Sequence, residues 1–257
     1  MIFPKGESMT PEQIADRESV WARMAVEHPE FTREHDAGDN WHAVREIVLG
    51  GSLTWAAANG FFQPRAGTRV MDIGANAGIY SAYCALNGAR VTAYEPFPTV
   101  FAMLSGMVKR TDLTARVEAI NAAVWTYTGE VPYIGHETPN DDVTCFNGGV
   151  PTSGVKWTPD DFKKADTIPC ISLDDAIGGE NWDIVKIDIE GGELEVLLAA
   201  SVDSLRRIKF AYVEFHDWAD QALYDETIKK IESVFRCQYF RSEPSRSRYE
   251  AAYLFRK

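Results

Sequence analysis

"VMDIGANAGIY", Val70 to Tyr80, reads as an apolar strand that ends in an aspartate and breaks into a turn bearing two glycines. The residues that follow, "AGIYSAYCALNGA", carry a helical period and stop at Gly88. A strand that passes through a tight glycine turn into a helix is a building unit of parallel α/β sheets. The same rhythm runs outward from it. "RVTAYEP" is a strand, "TVFAMLSGMVKR" a helix and "RVEAINAAVW" a third strand. Farther on come the strand "WDIVKID", the helix "ELEVLLAA", the strand "KFAYVEFH" and the helix "DQALYDETIKKIESVF". "RCQYFRSEPSRSRYEAAYLFRK" reads as two strands joined by a turn around Pro244. The pattern predicts an α/β fold with a seven-stranded, mainly parallel sheet, helices on both faces and an antiparallel C-terminal edge strand.

Two stretches stand outside the alternation. Residues 1–64 read as a helical N-terminal extension or lid ahead of a domain spanning 65–257. Thr10, Pro11 and Gln13 mark a helix start, "NWHAVREIVLGG" is amphipathic, and Ser52 can cap a short helix ending at Gly60. Residues 127–168, with "GHETPNDDVTCFNGGVPTSGVKWTPDD", are too long and too polar for a plain connection. They are expected to form a binding loop or a small antiparallel insertion.

The glycine turn does not fit a dinucleotide. That fingerprint needs G-x-G-x-x-G, so that backbone N–H groups can hold a pyrophosphate. Counted from Gly74, the second and third glycine positions are Asn76 and Ile79. What stands here is D-x-G-x-x-x-G: Asp72, Gly74 and Gly78, with Ala75 and Asn76 inside the turn. An acid at the strand end suits a ligand with an ammonium group and no phosphate, as S-adenosylmethionine is. Glu95 ends the next strand, 21 residues beyond Gly74 and just before Pro96, where a carboxylate can accept both ribose hydroxyls. Asn121, Ala122 and Ala123 end the third strand and would leave room for adenine.

"VMDIGANAGIYS", "AYEPFP", "INAAV", "SLDDAI", "VKIDIEGGELEVLLAA" and "YVEFH" follow one another as in the FkbM-type methyltransferases. The resemblance covers about residues 41–216. Its most specific element is K-x-D-x-E-G-x-E: Lys186, Asp188, Glu190, Gly191 and Glu193. It implies a Rossmann-like sheet, S-adenosylmethionine as cofactor and O-methylation of a sugar or natural product. Residues 1–40 and 127–168 carry no motif of the family and are expected to encode the acceptor.

Displacement of a sulfonium methyl needs an in-line nucleophile at close range, and a hydroxyl acceptor gains from a general base. Candidates lie at the carboxyl ends of adjacent strands, where open α/β sheets bind ligands. "KIDIEGG" puts Asp188 and Glu190 past one strand, Asp188 nearest the cofactor. "VEFHD" puts Glu214 and His216 on one face of the next. His216 has the unperturbed pKa best suited to a base near neutrality. Glu190 can instead cap a helix starting at Gly191, and Lys186 can form an ion pair with Glu214 or another acid. Asp188, Glu214 and His216 could also ligate Mg2+.

The chain has 257 residues, 45% of them hydrophobic, enough for one sizeable core. A formal net charge of −12 opposes nucleic acid as a partner. Cys84, Cys145, Cys170 and Cys237 form no C-x-x-C pair and read as free thiols of a reducing compartment. "MIFPKGESMTPEQ" lacks an apolar h-region, and "VLGGSLTWAAANGFF" is too short and interrupted to cross a bilayer. The expectation is a cytoplasmic enzyme with a small-molecule acceptor, no membrane partner, and homo-oligomerisation left open. The alternatives are an N- or macromolecule methyltransferase, or a silent module that binds S-adenosylmethionine.

Overall fold

The computed structural model describes residues 64–135, 144–146, 166–216, 221–240 and 251–257. The expected N-terminal helices, most of the insertion and the turn at Pro244 lie outside these residues. Eleven strands and six helices are described: β1 (Arg69–Ile73), α1 (Ile79–Leu86), β2 (Arg90–Tyr94), α2 (Pro98–Arg110), β3 (Val117–Ile120), β4 (Ala123–Trp125), β5 (Gly129–Gly135), β6 (Thr144–Phe146), β7 (Asp166–Ser172), α3 (Leu173–Ile177), β8 (Trp182–Ile187), α4 (Glu193–Ala199), α5 (Val202–Leu205), β9 (Ile208–Glu214), α6 (Gln221–Val234), β10 (Phe235–Phe240) and β11 (Ala251–Arg256).

Seven strands form the main sheet in the order β10-β11-β9-β8-β1-β2-β3. β3, β2, β1, β8 and β9 pair in parallel. β11 pairs antiparallel with both β9 and β10. The last strand in sequence thus slots in one place from the edge, and the antiparallel pairing at that edge belongs to the C-terminal hairpin. The order reverses between β1 and β8, so the carboxyl ends of these two strands form the switch point where such sheets bind ligands.

The period of two divides the strands between two cores. Val70, Ile184, Phe210 and Tyr212 join one cluster with Tyr80 and Ala82 of α1 and Leu104 and Met107 of α2. Met71, Val185, Ile187, Ala211 and Val213 join the other, with Leu194 and Leu197 of α4 and Tyr224 and Ile231 of α6. Both faces are therefore buried, which is why these strands read as near-continuous apolar runs. Asp72 and Lys186 share the face of Val70 and Ile184.

"RVEAINAAVW" is not one strand. The chain breaks at Asn121 and Ala122; β3 stays in the main sheet, while β4 enters a second sheet of order β4-β7-β5-β6. Apolar periodicity could not reveal the break, because Ala123, Val124 and Trp125 are as buried in their new sheet as a core strand would be. β5 pairs antiparallel with β6 and β7. Among the described residues no helix is long and apolar enough to cross a membrane. Cys84, Cys170 and Cys237 are free.

The second sheet shares a core with the main one, and its Trp125 ring packs on the loop before α4. Gly192, just before α4, has φ +102, and a Cβ there would lie 2.5 Å from Cζ3 of the Trp125 ring. Gly192→Ala should therefore lower unfolding free energy by about 1–3 kcal/mol, from left-handed backbone strain and the displaced ring. Urea denaturation of the two proteins checks this.

Candidate active site

The turn after β1 is closed by its own hydrogen bonds. The N–H groups of Gly74 and Ala75 donate to the Tyr94 carbonyl at 3.1 and 2.9 Å. Asn76 N–H donates to Glu95 Oε2 at 2.9 Å, Ala77 N–H to Asn76 Oδ1 at 2.6 Å, and Gly78 N–H to the Ala75 carbonyl at 2.9 Å. All five amides are spent, so the turn has none left over for a pyrophosphate. Gly74 is required: at φ +77, a Cβ would overlap the Asp188 carbonyl oxygen. Gly78 is the N-cap of α1, and exposed Asn76 tips the turn in left-handed backbone at φ 50.

Glu95 sits against this turn. Its Oε1 accepts the Phe97 N–H at 3.0 Å and its Oε2 that of Asn76, which leaves each oxygen a further lone pair for a ligand hydroxyl. Burial pushes Glu95 up to about 7, against the pull of those two amides. Asn121 has a part in the fold. Its Nδ2 donates to the Glu95 and Pro96 carbonyls at 2.9 and 2.8 Å, bracing the loop that carries the carboxylate. Ala122 is buried, and Ala123 is a paired residue of β4, opposite Cys170, rather than an open strand end.

Asp72 faces into the fold. It is 0% exposed, its Oδ2 accepts the Ser81 hydroxyl at 2.6 Å, and its Oδ1 lies 3.6 Å from Lys186 Nζ. Burial raises its pKa despite these partners. Its two partners, Ser81 and Lys186, both lie inside the fold. Lys186 is the centre of that arrangement. Its ammonium reaches Asp188 Oδ2 at 3.1 Å, donates to the Gly74 carbonyl at 3.0 Å and faces Asp72. Burial pulls its pKa down, but the Asp188 and Asp72 carboxylates outweigh that and raise it. Burial opposes the Asp188 charge, yet Lys186 and His216 hold its pKa below the usual carboxylate range. The ion pair thus joins Lys186 to Asp188 foremost, not to Glu214.

Beyond Lys186 the strand ends gather Asp188, Glu190, Glu214 and His216. His216 Nε2 lies 3.5 Å from Glu190 Oε2, 3.8 Å from Asp188 Oδ1 and 3.8 Å from Glu214 Oε1. Its Nδ1 lies 3.0 Å from Glu193 Oε1. Burial opposes a charge on His216, but the hydrogen bond to Glu193 and the surrounding carboxylates push it up to about 10. With only protein around it, the ring's surroundings favour the imidazolium over the free base. Burial and the nearby Asp188 push Glu214 up to about 7, while His216 pulls it back.

Glu193 is the residue that sequence reasoning left without a role. Its side chain is 1% exposed, and Oε1 accepts the N–H groups of Ile189 and Gly191 at 3.2 and 3.1 Å. It ties down the loop 188–192 and orients His216 at once. Glu190 is no helix cap, because α4 begins at Glu193 with Gly192 as N-cap. Glu190 stands instead in left-handed backbone at φ 56, its side chain half-exposed beside His216. The final acid of "DIEGGE" was the available signal for Glu193.

Residues 72–240 match the family described as the methyltransferase FkbM domain. The chain belongs to that family. Three curated proteins are similar to the chain. The methyltransferase sdnD of Sordaria araneosa is 25% identical over 168 residues, 56% of this chain and 65% of its own. The hexuronic acid methyltransferase AglP of Haloferax volcanii is 29% identical over 152 residues, 58% and 56% of the two chains. The AMB antimetabolite synthetase AmbE of Pseudomonas aeruginosa is 26% identical over 181 residues, 60% of this chain and 8% of its own. In each case the match to this chain spans less than two thirds of the relative's length.

Lys186→Met leaves the Asp72 and Asp188 carboxylates without their cation. It should cost about 3–5 kcal/mol of stability near neutral pH. The deficit should shrink as the pH falls, because protonation removes the uncompensated charges. Urea midpoints measured across pH test both statements.

Proposed function

We propose that the protein is an S-adenosylmethionine-dependent methyltransferase that methylates a hydroxyl oxygen of a small polar acceptor, a sugar or natural product. The observation that carries the reading is the glycine turn whose amides are all internally spent, set beside Glu95. It suits an adenosyl cofactor with ribose hydroxyls and no phosphates. S-adenosylmethionine supplies an already activated methyl on a sulfonium. The backbone of residues 74–78 shapes the floor for it, Glu95 accepts the ribose hydroxyls, and Asp188 borders both the turn and the carboxylate cluster.

The acceptor side is acidic. Glu190 and Glu214 have half-exposed side chains and can take the hydroxyl proton, while Glu193 and Lys186 hold their neighbours in place. The net charge of −12 and the crowd of acids favour a small polar acceptor over a polyanion. The name of the relative AglP, a hexuronic acid methyltransferase, supports a sugar-like acceptor. A divalent cation at Asp188, Glu214 and His216 belongs to the same reading and is taken up below.

Calorimetry with S-adenosylhomocysteine tests the cofactor assignment. Affinity should rise with pH from 6 and level off above 7, as Glu95 becomes an acceptor-only carboxylate. The loss at pH 6 should be about tenfold. Glu95→Gln should bind weakly with no such pH dependence. Absence of binding by the folded protein at pH 8 would overturn the reading.

A further inference from the structure

We propose that Asp188, Glu214 and His216 bind one hard divalent cation of the Mg2+ or Mn2+ kind, placed to chelate the acceptor. The cation's catalytic role rests on the methyltransferase reading; the existence of the site does not.

Each of the three side chains has one polar atom held away from the others. Lys186 Nζ holds Asp188 Oδ2 at 3.1 Å. The Tyr212 hydroxyl donates to Glu214 Oε2 at 3.1 Å. Glu193 Oε1 holds His216 Nδ1 at 3.0 Å. The remaining atoms face one another. Nε2 lies 3.8 Å from Asp188 Oδ1 and 3.8 Å from Glu214 Oε1, both beyond hydrogen-bond length, with Glu190 Oε2 at the rim of the group 3.5 Å away. Asp188 Oδ1 is buried and accepts no hydrogen bond. The positive group that faces it is the His216 ring at 3.8 Å, and a metal cation would take over that charge at closer range.

The three residues offer one ligand atom each, all within 4.8 Å of one another. Around a hard cation with bonds of about 2.1 Å, cis ligands lie roughly 3.0 Å apart and trans ligands roughly 4.2 Å. Side-chain rotations of less than an ångström or so would close the set. The bracing is itself that of a metal centre, in which a carboxylate fixes the second nitrogen of a ligating imidazole. Buried Glu193 does this for His216. Two carboxylate oxygens and one imidazole, with no thiolate, favour Mg2+ or Mn2+ over softer metals.

Three protein ligands leave positions open on the cation. They fit two neighbouring oxygens of one acceptor, which names its class: a vicinal diol or a hydroxy acid. A coordinated hydroxyl loses its proton more readily. That proton passes to Glu190, whose half-exposed carboxylate is not needed as a ligand. The oxygen's electron pair then forms the bond to the methyl carbon, and the carbon–sulfur pair stays on sulfur as the neutral thioether leaves.

Mn2+ titrated into the full-length, chelator-treated protein, with free Mn2+ followed by its electron paramagnetic resonance, tests the site. One Mn2+ per chain should bind and be displaced by Mg2+. Glu214→Gln and His216→Asn should each weaken Mn2+ by about tenfold or more. Both variants should still bind S-adenosylhomocysteine, which shows that they fold. No Mn2+ binding at about millimolar metal, or binding that survives both substitutions, overturns the site. S-adenosylhomocysteine binding without Mn2+ binding would sink the cation and spare the methyltransferase reading. Mn2+ binding without the cofactor would do the reverse.

Discussion

One buried ammonium holds the carboxyl ends of β1 and β8 together. Lys186 rises from β8 and meets Asp72 of β1, the Gly74 carbonyl of the turn and Asp188 at the end of its own strand. These are the two strands between which the sheet order reverses, so the ion pair sits under the switch point itself. Removing such groups from water is expensive, and the expense is met only when every partner is in place. The glycine turn, the Asp188 carboxylate and the loop to α4 are therefore set together, not one at a time.

From that centre two surfaces diverge. On one side the turn closes its own amides and leans on Glu95, which leaves a floor suited to hydroxyls. On the other side Asp188, Glu190, Glu193 and Glu214 surround one imidazole. Asp188 belongs to both, with its carbonyl against Gly74 and its carboxylate in the cluster. Trp125 against Gly192 ties the root of the second sheet to the same loop, so the segment leaving β4 begins next to the acidic cluster.

Much of this was legible in the chain. Gly74 and Gly78 flank a turn because the positions need left-handed backbone, and Glu95 falls where the second parallel strand must end. Glu214 and His216 share a side because strand residues alternate. What failed did so for physical reasons. Asp72 reads in sequence as an acid at a strand end, and its depth shows only when α1 and β8 cover it and Ser81 and Lys186 fill its surroundings. Glu190 looks like a cap, but the left-handed run through Gly191 and Gly192 delays the helix to Glu193. "INAAVW" looks like one strand, because burial in a second sheet leaves the same apolar signature as burial in the first.

The sequence by itself determined the parallel sheet, the glycine turn and the residue types at the strand ends, since period, glycine placement and spacing are local and linear. Tertiary structure decided what those residues are to one another. The charge state of His216 depends on four carboxylates from two separate segments, and the burial of Asp72 on a lysine 114 positions away in sequence. Electrostatic energies follow distance and burial, and neither is written along the chain.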